Sequence, residues 1–246
     1  MVRSPRFLAA AIAACLVLGT PMLSARQDKQ QPKDNRDEVE LVQKSIDVLQ
    51  KLATVPEDGI PKELLERAEG IIIIPSLVKG GFIIGAKHGK GLMSAKSSSG
   101  WSAPAVVKMT GGTIGWQIGV ESVDLVLLVM NKGGIDQLLQ DKFTIGGDLS
   151  VAAGPVGRNA SAGTNAQANA GLLAYSRAKG LFAGATLEGA ALHSDNDDNE
   201  AMYGREIGVK EIVRDNAPNT KGPAIVATWQ NFLGSLTGKY GLRVEA

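Results

Sequence analysis

The sequence predicts an α+β fold, in which a bent, largely antiparallel, glycine-rich β-sheet or partial barrel is bracketed by N-terminal and C-terminal helices. Near both ends, at residues 39–53 and 224–236, apolar residues recur at three- and four-residue steps, as in amphipathic helices. Between them, β-branched runs alternate with glycine and polar clusters, a pattern typical of strands and turns. With 246 residues, 44% of them hydrophobic and 21% charged, the chain is long and apolar enough to bury a core.

The first residues have the pattern of a secretory signal. Two arginines precede an apolar run at residues 7–19, and small or turn-forming residues follow as far as Ala25. We therefore expect a signal peptide at residues 1–25 and an exported, periplasmic protein. Cys15 lies in a lipobox-like context, which leaves a lipoprotein as the alternative. Ordinary cleavage is favoured because the apolar run continues beyond Cys15.

A polar linker at residues 26–36 leads into a single predicted domain at residues 37–240. The apolar stripe of the first helix, through residues 39–53, either packs on the sheet or enters a membrane, and we favour packing. Pro61 then opens a second, short helix at residues 62–68.

The centre of the domain is predicted to be sheet. A β-branched run at residues 71–74 ends at Pro75. Further strands are predicted at residues 81–87, 91–96, 105–109, 114–130, 143–153, 167–176 and 181–192, with short helical segments at 135–140 and 199–203. Glycines inside these strands predict strong bending or close packing. They are Gly111, Gly112, Gly115, Gly119, Gly146 and Gly147.

Composition argues against several functional classes. The formal net charge of +1 lacks the basic surplus of a nucleic-acid binder, so we expect no nucleic-acid partner. Cleavage of the signal peptide removes Cys15, which is the only cysteine of the chain, and with it any cysteine nucleophile or disulfide. His88 and His193 have no zinc-helix spacing, and no G-x-S-x-G elbow occurs. We predict no catalytic residue and no cofactor.

One acidic string resembles a metal site. Read as a calcium loop, residues 195–206 place Asp195, Asp197 and Asn199 at positions one, three and five and Glu206 at position twelve. The glycine needed at position six is absent. An acidic helix-capping loop at the edge of the sheet is therefore favoured, and no metal is predicted.

Two long strings resemble a known family. They are FTIGGDLSVAAGPVGR at residues 143–158 and SRAKGLFAGATLEG at residues 176–189. The strings AEGIIIIP at residues 68–75 and GGF at residues 80–82 fit the opening block of the same family. Together they resemble the SYLF domain family, and the resemblance extends over most of the predicted domain.

The resemblance implies a non-enzymatic, lipid-binding domain. Eukaryotic members of the family bind phosphoinositide membranes, partly through a basic N-terminal helix, and some bind actin, whereas bacterial members are mostly exported. We therefore expect binding to anionic lipid at an inner- or outer-membrane surface that faces the periplasm. The alternative is a protein-interaction or scaffold module related to the actin-binding members. A hydrolase acting on lipids or peptidoglycan is a third hypothesis, for which the sequence shows no convergent titratable groups.

The first helix departs from a polybasic surface because acidic residues accompany its lysines. Positive charge downstream would form a patch for anionic lipid if its residues share a face, and scattered, solvated, exposed charge is an equal alternative. The candidate lipid-binding residues are Lys44, Lys51, Lys62, Arg67, Lys79, Lys87 and Lys90.

The residues of the two family blocks are predicted to have structural roles. For Asp148 and Arg158, an ion pair or turn capping is expected rather than chemistry. The glycines and the proline are expected to serve tight turns and close strand packing. The full set is Gly146, Asp148, Gly154, Pro155, Gly157, Arg158, Gly180, Gly184 and Gly189.

Overall fold

The computed structural model describes most of the predicted domain, all of it within one compact unit. The described residues are 35–53, 59–98, 100–140, 142–157, 169–178, 181–185, 187, 189–215 and 221–238. The predicted signal peptide, Arg158 and Gly180 lie outside these residues, as does all of the linker except its last two residues.

Two very long strands organise the fold. Strand β1 (Gly70–Ser97) and strand β3 (Ala105–Val129) run antiparallel from the Gly70–Val129 pair to the Met93–Ala105 pair. The short strand β2 (Gly100–Trp101) pairs with the end of β1. The prediction of several shorter strands between residues 71 and 130 is wrong, because the glycines bend this ribbon without ending it.

Pro75 lies inside β1 and does not terminate it. The pairing register with β3 shifts between Ile74 and Leu77, and Ser76 has a φ of +54°. A bulge of this kind accommodates a residue that has no N–H for the ladder, so the chain passes Pro75 and continues as strand.

Strand β1 is bent double, so that its two halves lie against each other. The backbone N of Lys96 donates to the O of Glu69 at 2.8 Å. Gly91 approaches Ile73 so closely that a Cβ on Gly91 would lie 2.2 Å from the carbonyl oxygen of Ile73. Glycine is required there, as the sequence pattern of closely packed strands predicts in general. We call residues 80–86 of β1 and 111–120 of β3, where the ribbon turns, the bend.

Five short strands complete the eight-stranded sheet. They are β4 (Lys142–Thr144), β5 (Val151–Ala153), β6 (Leu172–Ala178), β7 (Leu181–Gly184) and β8 (Ala191–Ser194). Strand β6 pairs with the second half of β3, and both β5 and β7 pair with β6, of which only β5 is parallel. Strand β8 pairs with the first half of β3 and with β4. The predicted curled, mostly antiparallel sheet is confirmed.

The helices lie before, between and after the strands. They are α1 (Arg36–Ala53), α2 (Lys62–Arg67), α3 (Lys132–Leu138), α4 (Asn196–Tyr203) and α5 (Ala224–Leu236), with a π-helical turn at Glu211–Asp215 that the sequence analysis missed. Helix α3 begins earlier than predicted because the Asn131 side chain accepts a hydrogen bond from Gly134 N at 2.7 Å. Across the described part of the chain, no helix combines the length and the apolar character needed to cross a bilayer.

Helix α1 packs on the sheet, which confirms the favoured interpretation of its apolar stripe. Val42, Ile46 and Leu49 are buried in the core, and α1 contacts both β1 and α5. Helix α5 is fixed in turn by Trp229, which is fully buried and donates from Nε1 to Ser94 Oγ on β1 at 2.8 Å.

Candidate functional site

The candidate lipid-binding residues lie in three places on the fold. Lys44 and Lys51 are on α1, Lys62 and Arg67 are on α2, and Lys79, Lys87 and Lys90 are on β1. Among the three on β1, Lys79 and Lys87 lie on either side of residues 80–86, and the charge of Lys79 lowers the pKa of Lys87, whereas Lys90 pairs with acidic residues. The candidate residues differ in burial and in their acidic neighbours.

The lysines of α1 and α2 are exposed and partly neutralised. Lys44 Nζ lies 2.6 Å from Glu40 Oε1, and Lys62 Nζ lies 3.3 Å from Glu66 Oε1, each one helical turn away. Such exposed pairs stabilise a helix only slightly. They also leave little surplus positive charge on these two helices.

Lys90 belongs to a structural ion-pair network. Its Nζ hydrogen-bonds Asp198 and lies 3.6 Å from Asp195 Oδ2. Lys108, which faces Lys90 on β3, places its Nζ 2.8 Å from Asp195 Oδ1. Burial lowers the pKa of Lys90, but the hydrogen bond and charge of Asp198, followed by those of Asp195, outweigh burial and raise it. Asp195 therefore connects two like-charged neighbours on adjacent strands.

The acidic string at residues 195–199 is used for packing. Asn199 is fully buried, accepts from Val106 N at 2.7 Å and donates to Val106 O at 3.1 Å, which attaches α4 to β3. Asp195 precedes α4, but its carboxylate makes no capping hydrogen bond, so the predicted capping role is wrong for that side chain. Within the described residues, no group of three or more histidine, aspartate or glutamate side chains is arranged to hold a metal ion.

Lys79 and Lys87 form an unneutralised pair. Lys87 is only 6% exposed, and its stem crosses Gly111, where a Cβ would lie 2.7 Å from Lys87 Cε. Burial, followed by the charge of Lys79, lowers the pKa of Lys87. Glu121 faces Lys79 across the ladder, yet within the described residues neither lysine forms an ion pair. The expectation that Lys87 is an exposed lysine is wrong.

The bend beside this pair carries no charge. Residues 80–86 and 109–120 contain no acidic or basic side chain. At its base Val78 is 45% exposed, and His88 is also exposed. We call Val78, Lys79, Lys87 and His88 the bend site. The sequence analysis found its cations but missed Val78 and the uncharged bend, although the long uncharged run at residues 109–120 was a visible signal.

The first family block builds a capped turn after β4. Asp148 Oδ2 accepts from Thr144 N at 2.6 Å, and Asp148 N donates to Thr144 O at 2.9 Å. Gly146 has a φ of +85°, which favours glycine in this turn. The carboxylate of Asp148 thus caps the turn by accepting a hydrogen bond from the backbone.

The two family blocks meet beside β6. Strand β5, from the first block, pairs with the first half of β6, and strand β7, from the second block, pairs with its second half. A Cβ on Gly154 would lie 2.0 Å from the Tyr175 ring, and one on Gly184 would lie 2.7 Å from Gly154 O. Tyr175 is fully buried, and burial raises the pKa of Tyr175 well above its usual range. This junction is close packing between backbone and ring.

The remaining block residues also serve the backbone. Gly157 has a φ of +86° and donates from its N to Gly59 O at 3.2 Å, two residues after the half-buried Pro155. Gly189 has a φ of +75° and donates to Ile145 O at 2.9 Å. The described residues of both blocks therefore have structural roles.

Comparison with known proteins agrees with this arrangement. The family described as "Ysc84: Las17-binding protein actin regulator" matches residues 110–233. The chain belongs to this Ysc84/SYLF family. The expected family membership, inferred from the two blocks, is confirmed.

Several eukaryotic relatives are similar to this chain. An SH3 domain-containing protein of Schizosaccharomyces pombe is 40% identical over 162 residues, which is 64% of this chain and 37% of the relative. Human "SH3 domain-containing YSC84-like protein 1" is 33% identical over 196 residues, covering 78% of this chain and 56% of the relative. "LAS seventeen-binding protein 3" of Saccharomyces cerevisiae is 37% identical over 158 residues, or 63% and 34% of the two chains. The chain thus spans about a third to just over half of these relatives.

Proposed function

We propose that the protein is a non-enzymatic binding module that attaches to anionic lipid through the bend site, on a membrane surface facing the periplasm. The observation that supports this function is the pair formed by Lys79 and Lys87, which has no ion-pair partner among the described residues. The predicted signal peptide supports the location. The names of the family and its relatives, which denote binding proteins and regulators, support a non-enzymatic role.

The physical advantage of this pair lies in its missing counter-charge. Lys87 is already desolvated and its stem is packed on Gly111, so little further desolvation or ordering accompanies binding. An anionic headgroup supplies the charge that neutralises both ammonium groups. Each lysine near an anionic membrane surface contributes about 1 kcal/mol, so the pair is expected to matter measurably.

A protein-binding module is the second candidate. Its support is the description of the family as Las17-binding and the name of the yeast relative. An acidic protein surface would use the same lysine pair. The two candidates separate in an experiment that offers lipid alone.

The test is co-sedimentation of the purified protein with vesicles of phosphatidylglycerol and phosphatidylcholine, compared with vesicles of phosphatidylcholine alone. The double variant Lys79→Gln/Lys87→Gln is expected to lose about tenfold or more in affinity for the anionic vesicles. The matched control Lys44→Gln/Lys62→Gln removes the same charge from lysines that already have acidic partners. It is expected to stay within about twofold of the wild type.

Raising the salt concentration should weaken wild-type binding, since exposed charge is screened. Equal losses in the two double variants would contradict a specific lysine pair and indicate attraction by net charge. Absence of wild-type binding to anionic vesicles at low salt would overturn the lipid proposal in favour of a protein partner.

A further inference from the structure

We infer that the bend itself enters the apolar layer of the membrane, so that the uncharged turn of the β1–β3 ribbon, and not α1, is the inserting element. This inference rests on the proposed function and adds apolar insertion to the charge attraction of the lysine pair. Five observations support it: the state of α1, the composition of the bend, its backbone pairing, its position in the sheet and the lysines that flank it.

Among the described side chains of helix α1, the large apolar ones are buried or half-buried. Val42, Ile46 and Leu49 lie in the core against β1 and α5. Withdrawing α1 into lipid would expose the apolar surface that it covers in the core, which is unfavourable. An element that inserts while the fold stays intact must therefore lie outside this helix.

The bend has a composition and a backbone that suit an apolar layer. It contains no charged residue over residues 80–86 and 111–120. Its strands are paired on both sides of a register shift, with Gly81 opposite Gly119 and Ile83 opposite Gly115, and the shift leaves residue 82 and residues 116–118 outside the ladder. Backbone groups that are hydrogen-bonded to each other avoid most of the penalty of leaving water.

At the bend, the outer edge of β3 is not paired with another described strand. On the outer edge of β3, pairing with β8 ends at Thr110 and pairing with β6 starts at Asp124. Between these residues, β1 is the one described strand that pairs with β3. The bend is thus the part of the sheet that other described strands leave uncovered.

The lysine pair flanks the uncharged segment of β1. Lys79 precedes the uncharged segment of β1 and Lys87 follows it, beside the exposed Val78. Lysines that flank an inserted apolar segment keep their ammonium groups among the headgroups while their stems stay in the apolar boundary. Charge complementarity therefore specifies an anionic lipid surface as the occupant.

Trp116 provides a probe within the bend. The other two tryptophans are buried and hydrogen-bonded: Trp101 Nε1 donates to Thr237 Oγ1 at 3.0 Å, and Trp229 is held by Ser94. In vesicles of phosphatidylglycerol with dibrominated phosphatidylcholine, bound wild-type protein is expected to lose tryptophan fluorescence relative to unbrominated vesicles. The variant Trp116→Phe is expected to lose this difference while it still co-sediments.

A second variant tests insertion without using tryptophan. Gly112 is exposed, and the nearest heavy atom to a Cβ there is 4.0 Å away, so Gly112→Gln adds a neutral polar group without a clash. We expect it to weaken vesicle binding by about threefold or more, because an amide enters an apolar layer unfavourably. The control Gly208→Gln changes another exposed glycine that has open space around it and should bind like the wild type.

The outcomes separate this inference from the proposed function. If the wild type co-sediments without bromine quenching, or Gly112→Gln binds normally, then insertion of the bend is wrong and surface attachment stands. Quenching that survives in Trp116→Phe would also overturn the inference. If the wild type does not bind anionic vesicles at all, the proposed function and the inference fail together.

Discussion

The packed end of the β1–β3 ribbon, which comprises Lys90 and Gly91 of β1 and Lys108 of β3, and the bend use the same residue types for opposite purposes. At the packed end, Gly91 lies on the backbone of Ile73, and Asp195 neutralises Lys90 and Lys108. At the bend, the surroundings of Gly112 are open, and the lysines have no acidic partner among the described residues. The role of a glycine or a lysine in this fold therefore depends on what the rest of the chain places beside it.

The difference between the ends arises from the connection between β8 and α4. Asp195 in this connection and Asp198 in the first turn of α4 lie beside Lys90 on one half of the ribbon. At the bend site, Glu121 lies opposite Lys79 on the facing strand but forms no ion pair with it. Positive charge is consequently structural at the packed end and available for binding at the bend.

The largest expected effect is at the packed end. Gly91→Ala would place a Cβ 2.2 Å from Ile73 O and is expected to lower the free energy of unfolding by about 3 kcal/mol or more. The control Gly112→Ala, at the bend, should change it by no more than about 0.5 kcal/mol. Urea denaturation measures both. Equal stability of the two variants would remove the distinction between the ends.

The next effect concerns the acidic partner. Asp195→Asn leaves Lys90 and Lys108 short of counter-charge, and we expect a loss of about 2 kcal/mol, less than for a fully buried network because both lysines are partly exposed. The exposed control Glu40→Gln, which breaks the pair with Lys44, should cost no more than about 0.5 kcal/mol. A loss in Asp195→Asn as small as in this control would argue against a structural network.

The two kinds of lysine should respond with opposite signs. Lys87→Met removes a buried charge that has no ion-pair partner among the described residues, and it is expected to raise the free energy of unfolding by about 1 kcal/mol while weakening vesicle binding. Lys90→Met should lower stability.

Because the folded-state pKa of Lys87 is lowered from 10.5, the unfolded chain binds more protons as pH approaches 10.5. Stability should therefore rise with pH in that range, and less so in Lys87→Met.

The smallest expected effect is at Glu38 on α1. Glu38 is 6% exposed, and its Oε2 has no hydrogen-bond partner in the part of the chain that the structure describes. Burial, and then the charges of Asp198 and Asp37, raise its pKa above 4.5, against the opposing effects of a backbone hydrogen bond and of Lys90. The folded protein then holds the proton more tightly, so stability from this group falls as pH rises through and above 4.5.

Glu38→Gln should therefore flatten this fall and raise stability at pH 7 by less than about 1 kcal/mol. Urea denaturation at pH 4.5 and pH 7 measures the change. A fall with pH that is as steep in Glu38→Gln as in the wild type would assign it to other groups.

Local patterns in the sequence predicted the helices and the fold class. The apolar periodicity of α1 and α5 is a property of neighbouring residues, and so is the β-branched character of the ribbon. Continuity of the two long strands was not predicted, because Pro75 and the glycines resemble strand ends unless the bulge and the doubled ribbon are known.

The cations of the site were predictable but their environments were not. Lys79, Lys87 and Lys90 follow one another in the sequence with equivalent local patterns. The partner of Lys90 lies 108 residues further along the chain at Asp198. The burial of Lys87 depends on Gly111, which faces it on another strand. Contacts at such distances leave no periodic signal.

The central claim is that the bend, and not α1, meets the membrane. Hydrogen–deuterium exchange of the wild-type protein, free and bound to phosphatidylglycerol vesicles, tests it most directly because it compares all segments in one sample. We predict slower exchange on binding in peptides from residues 78–88 and 110–121, with peptides of α1 unchanged. Slower exchange confined to α1, or to the β6–β7 hairpin where Leu181 is 65% exposed, would contradict the claim.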